Sequence, residues 1–322
     1  MNTPLLKISN LKTYFPVRTG IIKAVDGLDY AVFENETLGI VGESGSGKSI
    51  SALSILRLIP SPGRIVTGDI FFKGENLLSL PLKRMPQIRG SKISMIFQDP
   101  MSSLNPVLTV GRQISEAITT HQKLKSAQAR QIVIEMLQQV GIAEPEKRLK
   151  EYPHQFSGGQ RQRIMIAMAL ACKPDLLIAD EPTTALDVTC QAQIIKLIQE
   201  LQQKQRTSVI LITHDMGLVA EIADRVVVMY AGSLMESADV WSLFKHPAHP
   251  YTQALLKSIS YLGMKERKRR LNEISGTIPS LLDLPPGCKF HPRCERAEHG
   301  CHKEEPPLRN IQDDHWVRCW FA

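Results

Sequence analysis

Gly42-Glu43-Ser44-Gly45-Ser46-Gly47-Lys48-Ser49 follows the apolar run LGIV and precedes ISALSILRL, a stretch compatible with a helix. The spacing is GxxxxGK[ST], set between a strand and a helix as a phosphate-cradling loop requires. Glycines at 42, 45 and 47 let the backbone curl with its N–H groups pointing inward, and the helix N-terminus adds partial positive charge. Lys48 then neutralises β- and γ-phosphate charge, and the Ser49 hydroxyl is a Mg2+ ligand. The competing reading is a Gly/Ser surface loop, and Lys-Ser directly after the last glycine weighs against it.

Outward from this loop, up to about residue 240, short β-branched runs alternate with longer helical stretches, the pattern of a sheet covered by helices on both faces. Strands are expected at Thr37 to Val41, Ile93 to Phe97, Leu176 to Ala179, Ser208 to Thr213 and Arg225 to Tyr230. Most of them end in polar or glycine-rich segments, where α/β proteins place their chemistry. Residues from about 110 to 140 read as amphipathic helices inserted in this core. After Trp241 the composition changes, and a boundary near 257 is expected. The run KERKRR at 265–270 reads as a solvated linker face ahead of a Pro- and Cys-rich tail with little helical periodicity.

The 322 residues, 43% hydrophobic and 22% charged, suffice for a large α/β unit with an extension and exclude a disordered chain. Lys and Arg outnumber Asp and Glu by 39 to 32, a formal net charge of +7 that favours, weakly, acidic partners such as nucleotides, nucleic acid or anionic lipid surfaces. No apolar run reaches the ~18 to 20 residues of a membrane-spanning helix, and MNTPLLKISN lacks the charged start and apolar core of a signal segment. The chain is therefore expected to be cytosolic, or attached to a membrane only through partners.

LLIADEP is an apolar strand ending in Asp180-Glu181, which delivers one carboxylate to the Mg2+ shell and a second to an attacking water. Phe156-Ser157-Gly158-Gly159-Gln160 opens another helical run 23 residues before Asp180. Ser-Gly-Gly at a helix start offers free N–H groups and a hydroxyl to an anion, a second γ-phosphate site. An acidic pair at a strand end is alone more often a solvated cap or turn, and Ser-Gly-Gly alone also reads as a plain helix cap; their weight comes from their order behind a phosphate loop.

Residues 37 to 232 resemble the nucleotide-binding subunit of an ATP-binding cassette (ABC) transporter. Its signature is typically LSGGQ, and here Phe156 replaces the Leu. The resemblance implies an α/β, P-loop NTPase (RecA-like) ABC nucleotide-binding domain over 1–257, with a helical subdomain at about 99–170, and a small Cys-rich C-terminal extension over 258–322. It further implies ATP and Mg2+ as cofactors and roles for single residues. Gly42, Glu43, Ser44, Gly45, Ser46, Gly47, Lys48 and Ser49 hold phosphate; Ser157, Gly158, Gly159 and Gln160 close on ATP held by an opposed subunit. Ser49, Gln98 and Asp180 surround Mg2+. Glu181 acts on the water, and His214 in LITHD donates to the γ-phosphate. Thr184-Ala185-Leu186-Asp187 orders the facing subunit's site. The adenine-stacking ring aligns best with Phe15 in NLKTYFPV, a segment placed before the first strands, with Tyr14 as second choice.

Six cysteines are present, and Cys288, Cys294, Cys301 and Cys319 crowd into the last 35 residues with spacing C-x5-C-x6-C-x17-C. In a reducing compartment such crowding suggests a metal site more than disulfides. Four thiolates can ligate zinc or an iron–sulfur cluster, and the spacing matches neither a zinc finger nor a ferredoxin run. A metal would supply stability to a short stretch without a core of its own. Cys172 and Cys190 sit in core-like or helical contexts, and His291, His299, His302 and His315 are alternative ligands. The tail, with HPAHPYTQALL and GTIPSLLDLPPGC before it, resembles the C-terminal extension of dipeptide and oligopeptide importer ATPases. That resemblance implies a four-iron four-sulfur (4Fe-4S) cluster, with zinc as the alternative.

The resemblance as a whole implies an ATPase subunit of a di- or oligopeptide importer on the cytoplasmic face of the inner or plasma membrane. Its partners would be a second ABC ATPase subunit (homo- or heterodimer), two transmembrane permease subunits and an extracytoplasmic solute-binding protein. A soluble ABC ATPase that remodels nucleic acid or ribosomes is the alternative that the basic charge permits; a single cassette with no coiled-coil insert and a peptide-importer tail argues against it. An importer ATPase for another solute such as nickel, or a metal-binding regulatory tail, are the remaining readings.

Overall fold

Two long strands, β1 (Leu6–Val17) and β2 (Gly20–Val32), pair antiparallel and bury Leu6, Ile8, Leu11, Val25, Leu28 and Val32. They belong to a computed structural model that describes residues 3–99, 103–184, 186–258 and 274–322. The KERKRR run and the boundary expected just past 257 border or lie in the segment outside these residues. The chain divides into two units, one built from residues up to 78 and from 212 onward, the other from 79 to 211.

In the first unit, β3 (Thr37–Val41) is buried at every residue and runs into the phosphate loop and α1 (Lys48–Ile55). β4 (Arg64–Phe72) pairs with the other edge of β1, and β5 (Glu75–Asn76) follows on β4. This antiparallel sheet escaped the sequence reading. Register shifts between Ile8 and Leu11, between Leu11 and Lys12 and between Thr13 and Tyr14 break the two-residue alternation of β1 that would have announced it. Phe15 consequently lies inside β1 and not ahead of the first strand.

The second unit holds β6 (Ile93–Ile96), then α2 (Val110–Gln122), α3 (Ser126–Gln139), α4 (Pro145–Arg148) and α5 (Gly158–Leu170). β7 (Leu176–Asp180), α6 (Val188–Gln205) and β8 (Ser208–Ile212) complete it. β6 and β7 are parallel, and β8 lies on the far side of β7. β7 and β8 are buried at every position, as strands covered on both faces are, which is why they read as unbroken apolar runs. The expected helical stretch from 110 to 140 is α2 and α3, separated by Lys123, whose left-handed φ of 50° ends the first of them.

The chain re-enters the first unit with α7 (Met216–Ile222), β9 (Arg225–Tyr230), β10 (Ser233–Asp239), α8 (Val240–Lys245) and α9 (Pro250–Ser258). β11 (Arg309–Gln312) and β12 (His315–Val317) close it. The strand order here is β11-β12-β10-β9-β3, with β3 and β9 parallel and the others antiparallel. All five strands expected from the sequence are present, with ends within a residue of those expected.

The expectation of a tail without a core is corrected. Phe290 is 2% exposed and packs against Tyr230 and Tyr251 at ring separations of 5.3 and 5.2 Å. Ile274, Leu281, Leu284 and Trp320 join the same cluster. Among the described residues no helix is long and apolar enough to cross a membrane.

Glu236 on β10 is fully buried and ties this end of the chain together. Its carboxylate accepts from the Ala248 and His249 N–H groups at 2.8 and 2.9 Å and lies 2.7 Å from His315 Nε2. Glu236→Gln replaces one acceptor oxygen by a donor, so one buried N–H loses its partner. A loss of about 1–3 kcal/mol is expected from urea unfolding; unchanged stability would remove this carboxylate from the forces that hold the tail.

Candidate nucleotide site

The phosphate loop is shaped by two close backbone approaches. Gly42 has φ +149°, and a Cβ there would lie 2.2 Å from the Met229 carbonyl oxygen. Gly47 has φ +99°, and its Cβ would lie 2.2 Å from the Ala24 carbonyl oxygen. Only glycine tolerates both the left-handed backbone and the contact. Gly47 is also the N-cap of α1 and offers no side-chain oxygen to the first turn, whose N–H groups face the loop.

Lys48 is 5% exposed, and its ammonium donates to the carbonyls of Gly42 and Glu43 at 2.7 and 3.0 Å and to Ser46 Oγ at 3.3 Å. The loop is pinned by Ser46 N–H to Glu43 O and by Gly232 N–H to Ser46 O, at 3.2 and 3.0 Å. Ser46 is buried, Ser44 and Gly45 are exposed, and Ser49 is half-buried on the first turn of α1.

Two further candidates lie in the same unit. The Phe15 ring is half-buried, with Cε1 2.3 Å from where a Cβ of Gly63 would stand, so a glycine is what lets it rest on that backbone. The Tyr14 hydroxyl donates to Asp26 at 2.6 Å and is thereby engaged. Burial and this carboxylate raise the phenol's pKa further above its usual value. His214 is exposed in the bend after β8. Its neighbours fix it: Thr213 N–H donates to Ile40 O at 3.2 Å, and Asp215 caps α7 by accepting from Gly217 and Leu218 N–H at 2.8 and 3.1 Å.

In the second unit, Asp180 ends β7 at 5% exposure, and Glu181 follows in the left-handed region at φ 46°. A non-glycine residue there is strained by about 1–3 kcal/mol, a cost usually met at functional positions. Gln98 and Glu181, 83 residues apart, meet: Gln98 Nε2 donates to Glu181 Oε2 at 3.0 Å, and the Thr184 hydroxyl donates to the same oxygen at 3.0 Å. Ser157 is the N-cap of α5, its Oγ accepting from Gln160 N–H while Gln160 Oε1 accepts from Ser157 N–H at 3.1 Å. Gln160 thus shapes the turn that presents Gly158 and Gly159. Phe156, in place of the usual Leu, is buried under the Arg148 guanidinium at 5.4 Å from its ring centre. Asp187 caps α6 through Cys190 N–H at 2.9 Å, and these N–H bonds hold its carboxyl below the usual carboxylate range. Ala185 is outside the described residues.

Cys288, Cys294, Cys301 and Cys319 line one cavity of about 20 Å³, together with His249 and His291. Burial pushes the Cys288 thiol up to about 11, with the other three thiols adding repulsion, and Cys294 rises for the same reasons. Among the described residues no group of three or more His, Cys, Asp or Glu is placed to hold a metal ion. The four donors surround a common space whose thiol lining is the donor chemistry of a metal site. Cys172 and Cys190 lie elsewhere, Cys172 with its thiol 3.4 Å from Ala117 O.

The sequence reading missed the partners of Glu43. Tyr251 and Arg293 reach it from 208 and 250 residues away, and no local pattern announces either.

A phosphate loop at the end of one buried strand and an acidic pair at the end of another define a P-loop nucleotide-binding protein. Residues 25–184 match the ABC transporter family, and residues 235–301 match the oligopeptide/dipeptide transporter C-terminal region. The probable peptide ABC transporter ATP-binding protein y4tR of Sinorhizobium fredii is 52% identical over 317 residues, 98% of this chain and 94% of that protein. The oligopeptide transport ATP-binding protein AppD of Bacillus subtilis is 51% identical over 98% of this chain and 96% of its own length. The dipeptide transport ATP-binding protein DppD of Escherichia coli is 49% identical with the same coverage. Among solved structures, the dimeric post-hydrolysis state of the ATP-binding cassette MJ0796 bound to ADP and Pi superposes with TM-score 0.66 at 27% identity, over 73% of this chain and 98% of that one. The chain belongs to the ATP-binding subunits of the ABC transporter family.

Gly47→Ala tests the loop geometry. The left-handed backbone alone costs about 1–2 kcal/mol, and the 2.2 Å contact with Ala24 O adds to it. A lower melting temperature and weaker ATP binding by calorimetry are expected; an alanine variant that matched the parent in both would contradict the described backbone.

Proposed function

We propose that this chain is the ATP-hydrolysing subunit that energises a membrane importer of di- and oligopeptides. The observation that carries the reading is the presence, in one chain, of an ABC cassette and an oligopeptide/dipeptide transporter C-terminal region. Full-length relatives named for dipeptide and oligopeptide transport support it, and none of these speaks for nucleic acid, ribosomes or nickel. The chain works with a second ATPase subunit, identical or related, and attaches peripherally to the cytoplasmic face of the membrane through two permeases. An external solute-binding protein delivers the peptide. A relative in structure titled as a dimeric cassette supports the pairing.

In this reading the loop from Gly42 to Ser49 holds the triphosphate, with Lys48 neutralising the β- and γ-phosphates and Phe15 stacking on adenine. Ser49, Gln98 and Asp180 would hold Mg2+, which supplies neutralisation of the developing phosphate charge. Glu181 accepts a proton from the attacking water as its oxygen bonds to the γ-phosphorus and the bond to the bridging oxygen breaks. Gln98 and Thr184 fix the carboxylate oxygen that they share. His214 donates to the γ-phosphate. Ser157, Gly158, Gly159 and Gln160 of one subunit close on ATP held by the other, and loss of phosphate removes the contact that made closure favourable.

Glu181→Gln keeps the side chain's size and one oxygen to accept from Gln98 and Thr184 but cannot take the proton. ATP binding is retained and steady-state turnover falls about 100-fold or more; near-normal phosphate release would overturn the assignment of the base.

We also propose that Cys288, Cys294, Cys301 and Cys319 ligate a 4Fe-4S cluster. That the four thiols line one cavity supports this reading. Anaerobic purification followed by iron and acid-labile sulfide analysis is expected to find both, and Cys301→Ser to lose both. Stoichiometric zinc without sulfide would decide for zinc.

A further inference from the structure

Glu43 places a carboxylate in the second position of a loop whose task is to gather positive charge around a triphosphate. Arg293, from the C-terminal region, grips it with two parallel bonds: Nη1 donates to Oε2 at 2.7 Å and Nη2 to Oε1 at 3.1 Å. The Arg293 side chain is 3% exposed and that of Glu43 24%, so the pair is largely withdrawn from water. Arg293 is itself held. Nη1 also reaches the Tyr230 hydroxyl at 3.3 Å, Nη2 the Ile274 carbonyl at 3.2 Å and Nε the Ser275 carbonyl at 3.0 Å. The guanidinium lies 5.7 Å from the Tyr230 ring centre, and the Glu43 N–H donates to the Tyr251 hydroxyl at 3.0 Å. Tyr230 and Tyr251 pack at 4.7 Å, with Phe290 against both.

We propose that Arg293 is a positioning residue for nucleotide binding: it neutralises and orients Glu43, so that the phosphate loop presents its N–H groups to the triphosphate without a competing negative charge. A fork of two bonds fixes direction as well as charge, which a lysine would not do. Attachment of the C-terminal region does not depend on this pair. Lys289, buried, donates to Ser233 Oγ at 2.7 Å and to Asp26 at 3.1 Å, while Phe290 and β12 add apolar and strand contacts. Removing the Arg293 charge therefore leaves a bare carboxylate on the phosphate loop in a region still docked. The inference rests on the loop being the ATP site, and it adds to that site a residue from outside the cassette motifs.

The test is calorimetric titration of the full chain with ATP and Mg2+. Binding by the unaltered chain tests the underlying reading on its own. Arg293→Met is expected to weaken ATP binding about 10- to 100-fold, the scale of an unscreened like charge at a partly solvated site. The gap should narrow at high ionic strength. The double variant Glu43→Gln with Arg293→Met lacks the ion pair equally but carries no bare carboxylate, and is expected to recover most of the affinity. Arg293→Lys, which keeps charge and loses the fork, should fall between the parent and Arg293→Met, and it carries the comparison where the methionine variant does not fold. Equal affinity in the parent and both single variants, a double variant no better than Arg293→Met, or a gap that does not narrow with salt would overturn the proposal.

Discussion

Two carbonyl oxygens, those of Met229 and Ala24, stand where the side chains of Gly42 and Gly47 would begin. Everything at the phosphate loop depends on that crowding. It leaves no room for a Cβ at either position, and it comes from two different sheets: Met229 is on β9, beside β3, and Ala24 is on β2 of the antiparallel sheet. The loop is thus the joint of two sheets in one unit. Its shape is set by packing at a distance in sequence, and its glycines record the absence of room.

The charge pattern follows from the same geometry. A glycine-rich loop at a helix start favours anions, and the charged side chains within this one are each paired. Lys48 is bonded to the loop's own carbonyls, and Glu43 is answered by Arg293. Arg293 belongs to a seven-residue segment, 288–294, that also supplies Cys288 and Cys294 to the thiol-lined cavity, Phe290 to the core and Lys289 to Asp26. The C-terminal region is in this way part of the phosphate loop's support.

The second unit places its chemistry by strand ends. β7 ends on buried Asp180, and the left-handed turn at Glu181 swings its carboxylate to Gln98 and Thr184. The polar candidates of this unit sit at the ends of its elements: Asp180 at a strand terminus, Ser157 and Asp187 at helix caps.

The motifs at 42–49, 157–160 and 180–181 were legible because phosphate chemistry demands particular residues at fixed local spacing, and β3, β7, β8 and β9 because strands buried on both faces are mostly apolar. β1 was not, since its bulges scramble the alternation by which a half-buried strand is known. Nor was the core of the tail, because Phe290 has no periodic neighbours and gains its burial from Tyr230 and Tyr251. Local sequence, then, determined where the motifs stand and which strands carry them. Only the tertiary structure decided that Gln98 meets Glu181 and that Arg293 meets Glu43, because a contact across 83 or 250 residues is made by the packing of whole elements and leaves no trace in the spacing of either partner.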